Sequence, residues 1–407
     1  MSSERARAFP SSVRQAVSDF GGLYAVNALV AFIFAATGPV AIILSVGTRG
    51  GLRPSDLASW IFGAFFVNGL LSIAFSGRYR QPLVFFWSIP GTVLVGPALG
   101  HLSFPEVIGA FVATGALMLA LGWGGWVGRA MEAVPMPIVM GMVSGVFLRF
   151  GLDLVYALRD QFWIAAPMVA VFLAATAIPA LARRVPPLIG AMAVGVVMVA
   201  ALGPAAPIGG MSASLTRPNL YMPAFSWAAM VELVVPLAIT VLVVQNGQGI
   251  AILRAAGHRP PVDAITVACG AVSIVTAFLG SVSTCLTGPV NALISGTGER
   301  RRQYTAGIAV GILGMAFGLL APAVTRLMLG TPPAFIAALA GLAMLRVLQA
   351  SFAIAFRDRY TLGALVAFLV TVADVAIAGI GAPFWGLVLG FAVSWILERG
   401  DRSPDHA

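Results

Sequence analysis

The chain has 407 residues, of which 59% are hydrophobic and only 10% are charged. An ordinary soluble domain is roughly 45–50% apolar and about 25% charged, so this composition excludes a soluble enzyme or a nucleic-acid-binding domain as the first interpretation. The net charge of +9 comes from arginines alone, since the sequence contains no lysine, and these lie singly or in short runs between apolar segments, as orientation signals of membrane proteins do.

Fourteen apolar segments follow one another along the chain, and about 20 apolar residues suffice to cross about 30 Å of hydrocarbon. The segments lie at 22–46, 55–75, 82–99, 105–122, 131–150, 162–181, 186–202, 226–253, 262–280, 284–296, 303–323, 332–352, 361–380 and 383–397. The sequence therefore predicts an all-α polytopic membrane protein with about 14 transmembrane spans. Merging the short segments would give twelve.

The arginines predict the orientation of these spans. With the N-terminus in the cytoplasm, 17 of the 24 arginines lie in cytoplasmic segments and six lie outside. Because cytoplasmic loops are enriched in basic residues, both termini are expected to be cytoplasmic and the number of spans even. We expect a multi-pass protein of the bacterial inner membrane.

The spans repeat at a nearly constant offset. Spans 1 and 8 begin about 204 residues apart, and spans 2 and 9 about 207 residues apart. Two halves of seven spans are therefore expected, and an odd number of spans per half makes the second half inverted relative to the first. Inverted repeats are typical of secondary transporters.

The third and tenth spans are short and contain helix-breaking and hydroxyl residues at corresponding positions. Such interrupted pairs indicate a transporter binding site, and the N-termini of the half-helices would favour an anionic substrate. The alternative is that these small residues only allow close helix packing. The candidate substrate-binding residues here are Ser88, Gly91, Thr92, Ser283, Thr284, Thr287 and Asn291.

The eighth span carries three amides within four residues, at Gln245, Asn246 and Gln248. Amides in lipid need partners, so they are expected either to bind the substrate or to join helices. Alanine at both Gln245 and Asn246 is expected to abolish binding and to leave folding intact. Phe86 and Trp87, just before the break in the third span, could form one wall of a pocket for a flat ring or could simply pack.

Two acids lie clearly within spans, Glu232 and Asp374. Ionisable residues in a membrane are costly and usually functional, so both are candidates for proton coupling, with a solvated or structural role as the alternative. The two cysteines lie in apolar segments and the three histidines are scattered. We therefore expect no metal site, no cofactor and no disulfide framework.

Three stretches resemble the benzoate:proton symporter family: QNGQGIAILRAAGHRPP (245–261), TCLTGPVNALI (284–294) and WSIPGTVLV (87–95). That family is similar in architecture to nucleobase and sulfate-type anion transporters. The resemblance implies a seven-plus-seven inverted repeat in which a core domain moves against a gate domain, often in dimers that form through the gate domain.

The resemblance also implies domain boundaries. The core domain would comprise 21–122 and 226–325, and the gate domain 123–225 and 326–398, between a cytoplasmic segment 1–20 and a tail 399–407. Nucleobase relatives typically carry acids in spans 8 and 10, where this chain has Gln245 and Pro289. An uncharged site suits a carboxylate better than a uracil-like base.

The expected function is proton-coupled uptake of a small aromatic carboxylate such as benzoate, by alternating access of core against gate. The expected partners are a small organic anion, protons, the lipid bilayer and a second copy of the chain in a homodimer, with no nucleic acid. The alternatives are a nucleobase or other organic-anion transporter, or an uncoupled anion channel or exchanger on the same scaffold. No HExxH motif and no cysteine or histidine cluster is found, so an enzyme is not expected.

Overall fold

The computed structural model describes residues 12–128, 135–178, 186–202, 215–296 and 298–399. Six helices in this part of the chain are long and apolar enough to cross a membrane, or seven if one bent helix pair forms a single span. Further apolar helices of 10–17 residues pack among them. The chain is therefore a mostly helical polytopic membrane protein, and the finer number of fourteen spans stays a prediction.

The described elements follow each other in two series. The first series is α1 (Val13–Asp19), α2 (Gly22–Ala36), α3 (Gly38–Arg49), α4 (Pro54–Tyr79), β1 (Phe85–Trp87), α5 (Ile89–Ala98), α6 (Phe104–Trp123), α7 (Met136–Asp160), α8 (Phe162–Ala177) and α9 (Pro187–Leu202). The second series is α10 (Trp227–Ala255), α11 (Val262–Ala277), β2 (Thr284–Leu286), α12 (Gly288–Ser295), α13 (Tyr304–Leu319), α14 (Ala321–Leu329), α15 (Pro333–Ala355), α16 (Thr361–Ala373) and α17 (Ala382–Leu397).

Two short strands lie where the third and tenth spans are predicted. β1 and β2 pair antiparallel, with Phe86 opposite Cys285. Each strand leads into a short helix that has proline in its first turn, Pro90 in α5 and Pro289 in α12. Proline favours an extended residue before it and starts a helix well, because first-turn N–H groups have no partner within the helix. These prolines therefore start helices instead of interrupting them.

The helices form two groups by their packing. Helices α2 to α6 and α10 to α14 pack mainly on one another around the strand pair and are called the strand-bearing group. Helices α7 to α9 and α15 to α17 pack mainly on one another and are called the second group. The two groups meet where α3 packs on α15 and where α5 packs on α7.

Glycines bring two helix pairs of the strand-bearing group into close contact. A β-carbon on Gly69 of α4 would lie 2.6 Å from the carbonyl oxygen of Gly311 of α13, and one on Gly311 would lie 2.7 Å from that of Gly69. Gly115 of α6 and Gly270 of α11 have the same reciprocal relation at 2.9 Å. Glycine is needed at these crossings because the backbones touch.

Alanine at Gly69 is expected to destabilise the protein by about 1–3 kcal/mol, because its methyl group must push α13 away. The measurement is thermal unfolding of the purified protein in detergent. The control is Gly22→Ala at the start of α2, where a β-carbon would meet nothing within 4 Å. Equal unfolding temperatures for the two variants would show that the α4–α13 crossing is not tightly packed.

The helices are irregular at several places in the described chain, and the sequence predicts one of them, a kink at Pro39 in the first apolar segment. The first apolar segment divides at Thr37, between α2 and α3. The predicted eleventh span consists of α13 and α14, which meet at an angle of 69°. Helix α10 contains two π-helical segments, Met230–Val234 and Thr240–Asn246. π-segments are rare and frequently mark functional sites, and these two include Glu232, Gln245 and Asn246.

Candidate functional site

The strand pair brings two helix N-termini to one place. The backbone N–H of Ser88 donates to the carbonyl of Ser283 (2.9 Å), and the N–H of Thr287 donates to the carbonyl of Val84 (3.1 Å). The ladder therefore extends past both strands to the residues that precede α5 and α12. We call the place where the two strands lead into α5 and α12 the strand crossing. The N-terminus of a helix presents free N–H groups and a partial positive charge, so the strand crossing is suited to hold an anion.

The two N-termini differ in how they are capped. The Ser88 hydroxyl accepts a hydrogen bond from the N–H of Gly91 (3.1 Å), and the Thr92 hydroxyl donates to the carbonyl of Ser88 (3.0 Å). The N-cap side chain of α5 therefore occupies one N–H group of the first turn, that of Gly91. At α12 the N-cap residue is Thr287, and its side chain makes no capping bond. The N–H groups of α12 are therefore the more available of the two sets.

Helix α10 runs past both N-termini. A β-carbon on Gly91 would lie 3.1 Å from Leu237 of α10, and one on Gly288 would collide with the side chain of Gln248. The π-helical stretch Thr240–Asn246 lies between these two contacts. The amides predicted from the sequence are thus next to the strand crossing.

The three amides have different environments. The Asn246 oxygen accepts from the backbone N–H of Leu286 (2.7 Å), and its nitrogen lies 3.8 Å from the sulfur of Cys269, so this amide fastens β2 to α10. Gln245 is buried, yet within the described ranges its amide makes no hydrogen bond. Gln248 is exposed and lies over Gly288, at the start of α12.

Two other candidate residues hold the strands in place. The Thr284 hydroxyl donates to the side-chain oxygen of Asn68 in α4 (2.8 Å), and its backbone N–H donates to the Ser273 hydroxyl of α11 (2.9 Å). The Asn291 amide binds both the N–H and the carbonyl of Val84, at 3.0 and 3.1 Å. Thr284 and Asn291 therefore use their polar groups within the protein.

Hydrogen bonds link Asn291 to the loop after α10. The ring of His258 lies 2.7 Å from the Gln303 oxygen, the Gln303 nitrogen donates to the carbonyl of Ser295 (2.9 Å), and the Ser295 hydroxyl donates to the carbonyl of Asn291 (2.6 Å). Burial lowers the pKa of His258, so the neutral ring is the favoured form. This chain of bonds supports β1 from one end of the bundle.

Aromatic side chains cover one side of the strand pair. Phe86 and Trp87 of β1 are both buried, and their rings lie 5.0 and 4.9 Å from that of Phe65 in α4. Among the described residues the buried indole N–H of Trp87 and the hydroxyl of Ser283 have no hydrogen-bond partner. Buried polar atoms are rarely left unpaired, so these two are available to a ligand.

The acid Glu232 lies at one end of the bundle and is 97% buried. Its carboxylate is 2.9 Å from the ring of His101, in the loop between α5 and α6. A β-carbon on Gly381, just before α17, would collide with the same carboxylate. The pair thus belongs to the strand-bearing group and touches the second group. The sequence contains no signal for this pairing, because 131 residues separate the two side chains.

The other acid, Asp374, lies at the C-terminal end of α16 and is half-exposed. Its carboxylate is 3.6 Å from the guanidinium of Arg149 on α7. Asp374 is therefore remote from the strand crossing and belongs to the second group. The described residues contain no cluster of three His, Cys, Asp or Glu side chains that could hold a metal ion.

Solved structures with a similar fold are anion transporters at low sequence identity. The inward-facing murine Solute Carrier 26 family member A9 (Slc26a9) anion transporter matches with a TM-score of 0.64 at 14% identity, over 92% of this chain and 68% of that chain. The transmembrane domain of the cyanobacterial bicarbonate transporter BicA matches with a TM-score of 0.58 at 14% identity, over 90% and 97%. These matches show the fold.

Sequence comparison shows the family. Inner membrane protein YdcO of Escherichia coli is 31% identical over 86% of this chain and 89% of its own length. The benzoate membrane transport protein of Acinetobacter baylyi is 27% identical over 92% and 95%. The family profile described as "Benzoate membrane transport protein" matches residues 21–396. The chain therefore belongs to the benzoate membrane transport protein family, a family of membrane transporters and not of enzymes.

Proposed function

We propose that this protein carries a small aromatic carboxylate such as benzoate across the bacterial inner membrane together with protons. The observation that supports this most directly is the start of α12, which has no side-chain cap and lies against Gln248 of α10. Three residues earlier on α10, the amide of Gln245 is buried and makes no hydrogen bond within the described residues. N–H donors and a helix dipole bind an anion without a buried cation. The Acinetobacter baylyi relative is a benzoate membrane transport protein, and the two solved structures are an anion transporter and a bicarbonate transporter, which agrees with an anionic substrate.

In this proposal the carboxylate binds at the start of α12. The first-turn N–H groups, the Thr287 hydroxyl and the amides of Gln245 and Gln248 contact its oxygens. Ser283 and the Trp87 indole N–H contribute further donors, since both are buried and unpaired within the described part of the chain. The ring packs near Phe86 and Trp87. Thr92, Thr284, Asn246 and Asn291 shape the site by holding the strands, and Ser88 and Gly91 form the capped start of α5.

The proposed architecture is a seven-plus-seven inverted repeat of fourteen spans, with a core domain (21–122 and 226–325) that moves against a gate domain (123–225 and 326–398). The antiparallel pairing of β1 with β2 supports it, because an inverted repeat brings equivalent segments together head to tail. The glycine contact between α4 and α13 has a counterpart between α11 and α6, as the repeat requires. We further propose cytoplasmic termini and a homodimer through the gate domain.

We assign proton binding to Glu232 together with His101. In the described chain Asp56 and Glu232 are the buried acids, and Asp56 is already paired with Arg53. Glu232 has a titratable partner and lies at a contact between the two helix groups. Its charge can therefore change the cost of closing that contact, because a buried charge is expensive unless it is neutralised. Asp374, the other candidate from the sequence, is half-exposed beside Arg149.

The test is uptake of labelled benzoate into proteoliposomes with and without an inward proton gradient. Uptake that the gradient stimulates and a protonophore abolishes is the expected result. Uptake at the same rate with and without the gradient would show an uncoupled channel or exchanger and not a symporter. If benzoate is not taken up at all, the substrate assignment is wrong, and thermal stabilisation by other carboxylates and by nucleobases would identify the class.

A further inference from the structure

A cavity of about 450 Å³ lies between the two helix groups, away from the strand crossing. The strand-bearing group contributes α3 and α5 to its wall, and the second group contributes α7, α16 and the residue Pro383. Val93 and Gly96 of α5 line it, and they follow the strand crossing by one to two helical turns. The cavity therefore lies between the candidate substrate site and the end of the bundle that carries Arg49, His101 and Asp374.

The size and lining of the cavity fit a small apolar anion. Its volume is within the range of about 300–1,000 Å³ that ligand pockets occupy. Most lining residues are apolar, including Val46, Val146 and Phe150, which suits a ring. Two guanidinium groups, those of Arg49 and Arg149, line the same space, and guanidinium is the side chain best matched to a carboxylate.

The two arginines differ in how firmly they are held. Arg49 donates to Asp153 of α7 at 2.6 Å, a hydrogen bond that joins the two helix groups. The closest atoms of Arg149 and Asp374 are 3.6 Å apart, which is too long for a hydrogen bond, and both side chains are about half-exposed. Within the described residues the N–H donors of Arg149 make no hydrogen bond. The N–H groups of Arg149 can therefore donate hydrogen bonds to a ligand in the cavity.

We propose that this cavity is a second substrate site, an entry vestibule in which Arg149 binds the carboxylate of an aromatic monocarboxylate on its way to the strand crossing. This inference rests on the proposed function for the identity of the ligand. Asp374 competes with the substrate for Arg149, since both present a carboxylate to the same guanidinium. The proposed orientation places the vestibule at the periplasmic end of the bundle.

The competition predicts opposite effects of two substitutions on the same ion pair. Arg149→Gln is expected to raise the KM of benzoate uptake about tenfold or more with little change in maximal rate, because the variant loses a hydrogen bond to a charged group, and such a bond contributes at least about tenfold in affinity. Asp374→Asn is expected to lower the KM. The matched control is Arg159→Gln, an exposed arginine in the last turn of α7 that is paired with Asp160 and does not line the cavity.

Labelling of a cysteine at Ser45, a half-buried residue of the vestibule wall, tests occupancy without any transport. In intact spheroplasts the Ser45→Cys variant is expected to react faster with an anionic methanethiosulfonate reagent (sulfonatoethyl) than with a cationic one (trimethylammonioethyl). Arg149→Gln should reduce this preference, and benzoate should slow the labelling. The two native cysteines are buried, so the unsubstituted protein supplies the background.

The two experiments separate failure of the vestibule from failure of the proposed function. If the wild type takes up benzoate and both variants keep its KM, the vestibule is overturned and the proposed function stands. The same holds if the wild type takes up benzoate but benzoate does not slow labelling of the cysteine. If benzoate slows labelling of the cysteine but the wild type takes up no benzoate, the vestibule is supported and transport of benzoate is refuted. Loss of gradient-driven uptake in Asp374→Asn would make Asp374 a proton carrier and would also overturn the vestibule.

Discussion

Alanine at Gln245 is expected to weaken binding of an aromatic carboxylate by about tenfold or more while the unfolding temperature stays that of the wild type. The amide is buried on α10, three residues before the Gln248 that lies over the start of α12, and it makes no hydrogen bond in the described structure, so its removal costs the free protein little. A hydrogen bond to a charged ligand contributes about 1.5–3 kcal/mol, which corresponds to roughly ten- to hundredfold in affinity. Equilibrium binding of labelled benzoate to the purified protein measures the effect.

The neighbouring residue supplies the control. Asn246→Ala is expected to lower the unfolding temperature, because the backbone N–H of Leu286 would lose its acceptor while remaining buried. An unsatisfied buried donor costs about 1–3 kcal/mol. The expectation from sequence, that alanine at both positions spares the fold, therefore applies to Gln245 alone. Wild-type affinity in Gln245→Ala would exclude this amide from the site.

Glutamine at Glu232 is expected to abolish accumulation driven by a proton gradient while exchange of labelled for unlabelled substrate continues at equal pH on both sides. The amide has the size of the carboxylate and keeps the contact at Gly381, but it cannot bind a proton. A proton that binds to the carboxylate removes its charge, and a buried charge is expensive unless it is neutralised. His101→Gln is expected to shift the dependence of uptake on external pH.

The measurement is proton influx during uptake, followed with a pH-sensitive dye inside proteoliposomes. The control is Glu106→Gln, on α6 at the same end of the bundle. Glu106 and Ser103 form a capping box, in which glutamine can take the place of glutamate, so this variant should couple normally. Glu106 itself interacts electrostatically with His101, so this control also tests a neighbouring charge. Wild-type proton influx in Glu232→Gln would contradict the assignment.

Several features of the site could be predicted from local sequence. Pro90 and Pro289 restrict their own backbone and that of the preceding residues. The starts of the two short helices could therefore be predicted from the positions of these prolines. The amide cluster of the eighth span was equally visible, because polar side chains are rare in an apolar segment. The roles within the cluster were not predictable. Gln245 and Asn246 are adjacent in sequence, and only the position of β2 distinguishes them.

Contacts between distant residues account for what the sequence analysis missed. No individual role was assigned to His101 or Arg149 from the sequence, because their partners lie 131 and 225 residues away. Thr284 and Asn291 looked like ligand-binding residues, yet their side chains meet Asn68 and Val84. A side chain's hydrogen-bonding capacity is fixed by its chemistry, whereas whether that capacity is spent inside the protein depends on the packing around it.

The sequence by itself determined that this chain is a helical, multi-pass membrane protein, because hydropathy acts through local solvent physics. It also showed the prolines at which two short helices begin, because proline restricts its own backbone and that of the preceding residue. The tertiary structure alone decided which polar groups stay free. Antiparallel pairing of β1 with β2 brings together residues about 200 positions apart, and Asn246, Thr284 and Asn291 hold the two strands in place. Within the described residues, Gln245 is left without a hydrogen-bond partner and the start of α12 without a side-chain cap.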